Sequence, residues 1–250
     1  MTLTPYTTED FNTNRRLVIA PWGQEKTGKT TFAFTFPDPI YFFNFDIGEE
    51  GVVDERIKGL LSQGRKVFHA EYVLDPMDGL AEQRVVYGQF KKDYDEAVST
   101  APLGATIIID TGTALEQLVR DVTMDEVQES RRGTKSEGRS FQYDYHRRNQ
   151  EMNRLWTAAN ARRGVNFVFV HKSSPVYDSG GNRTSQIELQ GWSGTLYTVA
   201  TVLQLYKQPG PTGQAEQFFG RMNMCRQDSR LVGLPLENPT YTSITELLWG

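Results

Sequence analysis

Residues 21–34 read PWGQEKTGKTTFAF, and the octet from Gly23 to Thr30 has the spacing G-x-x-x-x-G-K-S/T. That spacing suits the wrapping of a polyphosphate, because a glycine-rich turn aims successive backbone N–H groups at one anion. Gly23 and Gly28 permit turn conformations closed to other residues. Lys29 reaches toward β- and γ-phosphates, and the Thr30 hydroxyl is placed to ligate Mg²⁺. Gln24, Glu25, Lys26 and Thr27 fill the loop, and Thr31 follows it. The alternative is a chance match in a surface turn. Context weighs against chance: the apolar run 17–20 precedes the octet, and a short helix over 30–36 follows it, stopped by Pro37 and Pro39.

A nucleotide-binding loop of this kind needs a second acidic group beside its magnesium. The β-branched run 105–110, ATIIID, delivers Asp110 to the end of a buried strand. Asp110 is also placed to cap a helix starting near Thr113. The phosphate loop upstream favours the metal role. A third polar cluster ends the most continuous apolar strand, 165–170, where His171 and Lys172 follow. Beside a phosphate site these two would contact the γ-phosphate; elsewhere a lone histidine at a strand end serves as a structural hydrogen-bonding group.

One stretch stands apart in charge. Residues 130–148, SRRGTKSEGRSFQYDYHRR, hold Arg131, Arg132, Lys135, Arg139, Arg147 and Arg148 against Glu137 and Asp144. A glycine-punctuated basic loop can neutralise nucleic-acid phosphates without a fixed groove, and Phe141, Tyr143 or Tyr145 would stack on unpaired bases. The plainer reading is a solvated linker whose tyrosines pack inward. The looser segment 173–192 adds Arg183, and the C-terminal region carries Arg221, Arg226 and Arg230.

The elements that must position these groups alternate between strand and helix. Strands are expected at 17–20, 40–45 (ending at Asp46), 66–73, 105–110 and 165–170. Helices are expected at 51–64, 79–100, from Thr113 to about 129, and about 143–163. Leu80, Val85, Tyr87, Phe90, Tyr94 and Val98 form the expected core stripe of the second helix, and Leu155, Trp156 and Ala159 that of the fourth. Apolar structure returns at 195–205. A hairpin is expected from 217–226 and 230–232, and a terminal helix at 243–249. The pattern predicts an α/β fold with a mainly parallel central sheet flanked by helices and a C-terminal β-hairpin, as one domain over 1–250.

Composition bounds the rest. The 250 residues are 38% hydrophobic with a formal net charge of −4, so nucleic-acid binding must come from local clusters rather than the global field. A single cysteine, Cys225, excludes an internal disulfide and a multi-cysteine zinc cluster. The N-terminal stretch has no apolar core of a signal peptide, and no apolar run is long enough to span a bilayer. A soluble, cytoplasmic protein with no membrane partner is expected.

In the order of these parts the chain resembles the RecA-type ATPase core, and most closely the short phage-encoded RecA-like recombination ATPases. Glu25 and Lys29-Thr30-Thr31 match the family's phosphate loop, IIIDT at 107–111 its magnesium-binding strand, and FNFDIGEEG at 43–51 its strand ending in an acidic cluster. Over about 16–207 the resemblance implies a RecA-like core, with 208–250 as an added hairpin and short helix. It implies ATP and Mg²⁺ as ligands, and hydrolysis with Glu49, or alternatively Glu50, activating water. It further implies coupling to single-stranded DNA in recombination, annealing or repair, with DNA loops at 130–142 and 173–191. Arg131, Arg132, Lys135, Arg139, Lys172 and Arg183 are then the DNA contacts. The family ends its sensor strand in glutamine, so the sensor role of His171 and Lys172 is implied by position alone. A ring or filament of identical subunits is implied, with Arg226 as the cation donated to a neighbour's site, and with a single-strand annealing or binding protein as a further partner. Two other classes fit the same loop: a kinase of nucleosides or other small molecules, with the basic stretch as a lid, and a non-catalytic nucleotide-dependent assembly module.

Overall fold

The computed structural model describes residues 15–46, 50–72, 79–134, 138, 144–210 and 215–250. Five short strands make the parallel part of its sheet out to one edge: β1 (Val18–Trp22), β2 (Ile40–Asn44), β3 (Val67–Glu71), β4 (Thr106–Asp110) and β5 (Asn166–Val170). All five run parallel, and β1, β4 and β5 are buried at every residue, which is why they read as continuous apolar runs. The side chains still alternate with period two. Ile107 and Ile109 join one core cluster while Ile108 joins the other, and Phe167 and Phe169 oppose Val168 and Val170 in the same way.

Helices cover both faces. Packed on the first are α3 (Leu80–Thr100), α4 (Gly112–Glu129) and α5 (Tyr145–Ala161), through Phe90, Tyr94, Leu118, Leu155 and Trp156. The second carries α1 (Lys29–Ala33), α2 (Glu50–Ser62) and the terminal α7 (Tyr241–Trp249), through Phe32, Val53 and Ile244. The single-turn α6 (Thr195–Thr198) leads into β8 (Thr201–Gln208), which lies parallel to β1. Antiparallel β9 (Gln217–Cys225) and β10 (Pro235–Glu237) follow, giving the order β10-β9-β8-β1-β5-β4-β2-β3. This is the RecA-like P-loop arrangement, with one strand between the phosphate-loop strand and the Asp110 strand.

Several expectations need correction. The segment expected to be loose is an antiparallel ribbon, β6 (Lys172–Tyr177) with β7 (Arg183–Gln190), closed by a turn in which Asp178 Oδ1 accepts from the Gly180 and Asn182 amides. Its sequence hides the strands because it is mostly polar and sets few apolar side chains, Ile187 and Leu189 of β7, against the core. In the C-terminal region, residues 229–231 form a 3₁₀ turn capped by Asp228, and the strand that pairs with β9 comes later, at 235–237. On α3 the stripe shifts: Leu80 and Val85 are 43% and 72% exposed, while Ala97 joins Tyr87, Phe90 and Tyr94 in the core.

Candidate active site

Because the central strands are parallel, their carboxyl ends share one edge of the sheet, and the residues just beyond them converge there. From β1 the chain turns at Gly23, where φ is 156° and an added Cβ would meet the Leu205 carbonyl oxygen at 2.2 Å, so only glycine fits. At Gly28, φ of 83° turns the chain into α1. Inside this loop the Thr27 hydroxyl donates to the Gln24 carbonyl at 2.9 Å, and the Lys29 ammonium donates to the same oxygen at 2.6 Å. The loop thus has its own internal bonds, with Lys29 folded along it.

One contact joins this loop to the acidic strand. Thr30 Oγ1 donates to Asp110 Oδ2 at 2.6 Å, across 80 residues of sequence. Asp110 is 3% exposed. It does not cap α4, because that place belongs to Thr111, whose hydroxyl accepts from the Ala114 amide at 3.1 Å. A hydroxyl and a carboxylate oxygen side by side are hard donors that suit Mg²⁺, which takes one or two protein ligands and completes its shell with phosphate and water. Among the described residues no group of three or more His, Cys, Asp or Glu gathers to hold a metal.

These groups line a cleft of about 680 Å³ together with Asp46, Arg56, Lys172 and Phe218. That volume suits a nucleotide-sized ligand. Lys172 Nζ lies 2.8 Å from Asp46 Oδ1. His171 is elsewhere: it is fully buried beneath the ribbon, outside the cleft lining. The Gln190 carbonyl, 3.2 Å from Nδ1, only accepts, so Nδ1 carries the proton. Burial lowers its pKa to about 4, so the ring stays neutral and offers no charge to a phosphate.

The remaining site residues scatter. Glu49 lies outside the described residues, as do Lys135, Arg139, Phe141 and Tyr143, while Glu50 opens α2. Arg131 gives its guanidinium to Asp144, Nη1 to Oδ2 at 2.8 Å with a second, shorter bond beside it, and so ties the end of α4 to the start of α5. Arg147 pairs with Glu126 at 2.8 Å and Arg148 with Glu116 at 3.6 Å. Arg132 and Arg183 are exposed. Arg226 follows the last residue of β9, level with the start of β8, at the opposite edge of the sheet from the phosphate loop, and donates to the Leu196 carbonyl at 3.0 Å. Arg226 thus stands away from the phosphate loop of its own chain, and the site it was expected to serve belongs to a neighbouring subunit.

Sequence reasoning missed Arg56, Phe218 and the Asp46–Lys172 pair. Both members of the pair were visible as strand-end residues, but only the strand order brings them together. Phe218 arrives from a strand nearly 190 residues away and stands 3.5 Å from where a Cβ on Gly28 would be; nothing local announces it.

No curated protein matches the chain by sequence. Among solved structures, a KaiC-like protein from the hyperthermophilic archaeon Pyrococcus horikoshii OT3 is similar at a TM-score of 0.45 and 13% identity, covering 88% of this chain and 84% of that one. That degree of likeness adds nothing to the topology described above. A family model described as an AAA domain matches residues 14–205. The phosphate loop, the neighbouring Asp110 strand and the sheet order are those of a RecA-like P-loop ATPase. Since the matched stretch runs from before β1 into β8 and spans well over half of the sequence, the chain belongs to the AAA domain family.

Proposed function

We propose that the chain binds Mg²⁺–ATP in this cleft, hydrolyses it, and couples its nucleotide state to single-stranded DNA. The observation that carries the first part is the Thr30–Asp110 contact at 2.6 Å, which brings the phosphate loop and the acidic strand to one point. Backbone amides of 23–28 and Lys29 would hold the β- and γ-phosphates, and Thr30 and Asp110 would hold Mg²⁺. When bound, the ion neutralises phosphate charge. Glu49, in the segment that follows β2, would orient the attacking water, as the RecA resemblance implies.

What supports the coupling is continuity of the chain. Lys172 begins β6 in the cleft, and at the ribbon's far end Tyr177, 58% exposed, pairs directly with Arg183. An exposed ring opposite a guanidinium suits an unpaired base and its phosphate. Arg132, Lys135 and Arg139 would add phosphate contacts from the basic loop. Phosphate release measured with and without single-stranded DNA tests the reading: stimulation is expected. Transfer of phosphate to an added small acceptor would make the chain a kinase, and nucleotide binding without turnover would make it an assembly module.

A further inference from the structure

The registers of β5 fix what stands next to the phosphate loop. Val170 pairs with Asp110 on one side, and His171 forms a bridge to Trp22 on the other. Lys172 therefore emerges level with Gly23, between the loop and Asp110. On the far side of β4, Asn44 pairs with Asp110, and Asp46 comes two residues later. Across the edge the order is Gly23, Lys172, Asp110, Asp46. The Lys172–Asp46 ion pair consequently spans the end of the strand that carries Asp110, over the place where terminal phosphate and metal would meet.

Both backbones are fixed: the Lys172 amide donates to Thr113 Oγ1 at 3.1 Å, and the Asp46 amide donates to Asn44 Oδ1 at 3.0 Å. Only the side chains are left to move. With side chains 40% and 22% exposed, the pair is the kind whose net strength is small. A γ-phosphate carries more charge than a carboxylate and would displace Asp46 as the partner of the ammonium.

We infer that Lys172 supplies, within its own chain, the positive charge that stabilises the γ-phosphate during transfer to water, and that Asp46 parks it until nucleotide arrives. This rests on the ATPase reading above. In the step, a water oxygen bonds to the γ-phosphorus as the bond to the β,γ-bridging oxygen breaks. The electron pair stays on ADP, and the water's proton passes to solvent. Lys172 remains protonated throughout. Lys172 already lines the cleft of its own chain, so no second subunit is needed to bring a cation there.

The test compares wild type, Lys172→Ala, Lys172→Arg and Asp46→Asn in steady-state turnover and in binding of ADP and a non-hydrolysable ATP analogue. Lys172→Ala should lower kcat about 10²- to 10³-fold, the cost of removing one preorganised charge contact. It should weaken the ATP analogue more than ADP, and Lys172→Arg should recover part of both losses. Asp46→Asn should tighten the ATP analogue up to about fivefold, because no pair has to be broken first. Turnover per chain should not depend on protein concentration. A wild-type kcat in Lys172→Ala, an equal weakening of ADP and ATP-analogue binding, or rescue of Lys172→Ala by mixing with Lys29→Ala chains would each overturn the inference while leaving the ATPase reading in place. An inactive wild type would remove both.

Discussion

Lys29 and Asp110 are the residues whose roles separate most cleanly by measurement. Lys29→Ala removes a charge on a solvent-facing loop, so it should abolish ATP binding or turnover while leaving thermal unfolding unchanged; unaltered turnover would remove the nucleotide site itself. Asp110→Asn disturbs the oxygen pair with Thr30 and should reduce turnover about 100-fold with a smaller loss of affinity, read across a magnesium titration. His171 makes a different kind of prediction, on stability. Its folded pKa is about 4 against an ordinary 6.5, so between these values the unfolded chain binds more protons and stability falls as pH drops through that window, by about 3 kcal/mol in total. Denaturant unfolding from pH 7 to 4 should show this slope, and His171→Gln should flatten it. A slope unchanged in that variant would mean that the ring is not held neutral. The phosphate loop was legible in sequence because its function needs particular residue types at fixed spacing. The burial of His171 was not, since it depends on Gly112, Gly191 and Trp156 closing around the ring.

Single elements divide in the same way. β1, β4 and β5 could be read from sequence because burial on both faces forces apolar runs, whereas the mostly polar β6–β7 ribbon, which sets Ile187 and Leu189 against the core, looks like loop until its pairing is seen. Arg131 shows what this costs a charge-based reading. It sits in the most basic stretch of the chain, yet its guanidinium is bonded to Asp144, whose side chain is 1% exposed. Removing it strands a buried carboxylate, so Arg131→Ala should destabilise the fold by about 3 kcal/mol, while the exposed Arg132→Ala should be neutral in unfolding. Equal stability of the two variants would refute the staple between α4 and α5. The ribbon tip should behave in the opposite way: Tyr177→Ala together with Arg183→Ala should leave unfolding unchanged but weaken single-stranded DNA binding. The salt slope should flatten by about 0.7 log units for each DNA phosphate no longer neutralised, and an unaltered slope would mean that the ribbon does not touch the DNA backbone.

At the scale of the whole molecule, the question is whether the segment beyond the family match is an appendage or part of the ATPase. The match ends at residue 205, inside β8. Beyond that point the chain does not pack as an appendage. β9 pairs along the full length of β8, and Met222, Cys225 and Ile244 share one buried cluster with Phe32 and Phe36, which stand behind the phosphate loop. The Tyr241 amide donates to Thr35 Oγ1 at 2.8 Å, and its ring lies 4.8 Å from that of Phe36. Stripping these residues would expose the apolar back of α1 to water and leave β8 as an unpaired edge. The whole chain is therefore expected to unfold as one cooperative unit, with the same midpoint by tryptophan fluorescence and by circular dichroism. A chain ended after Gln208 should lose both that transition and nucleotide affinity. Retention of wild-type ADP binding by the shortened chain would show that the phosphate loop is held by the matched core alone, and that 209–250 has a separate task.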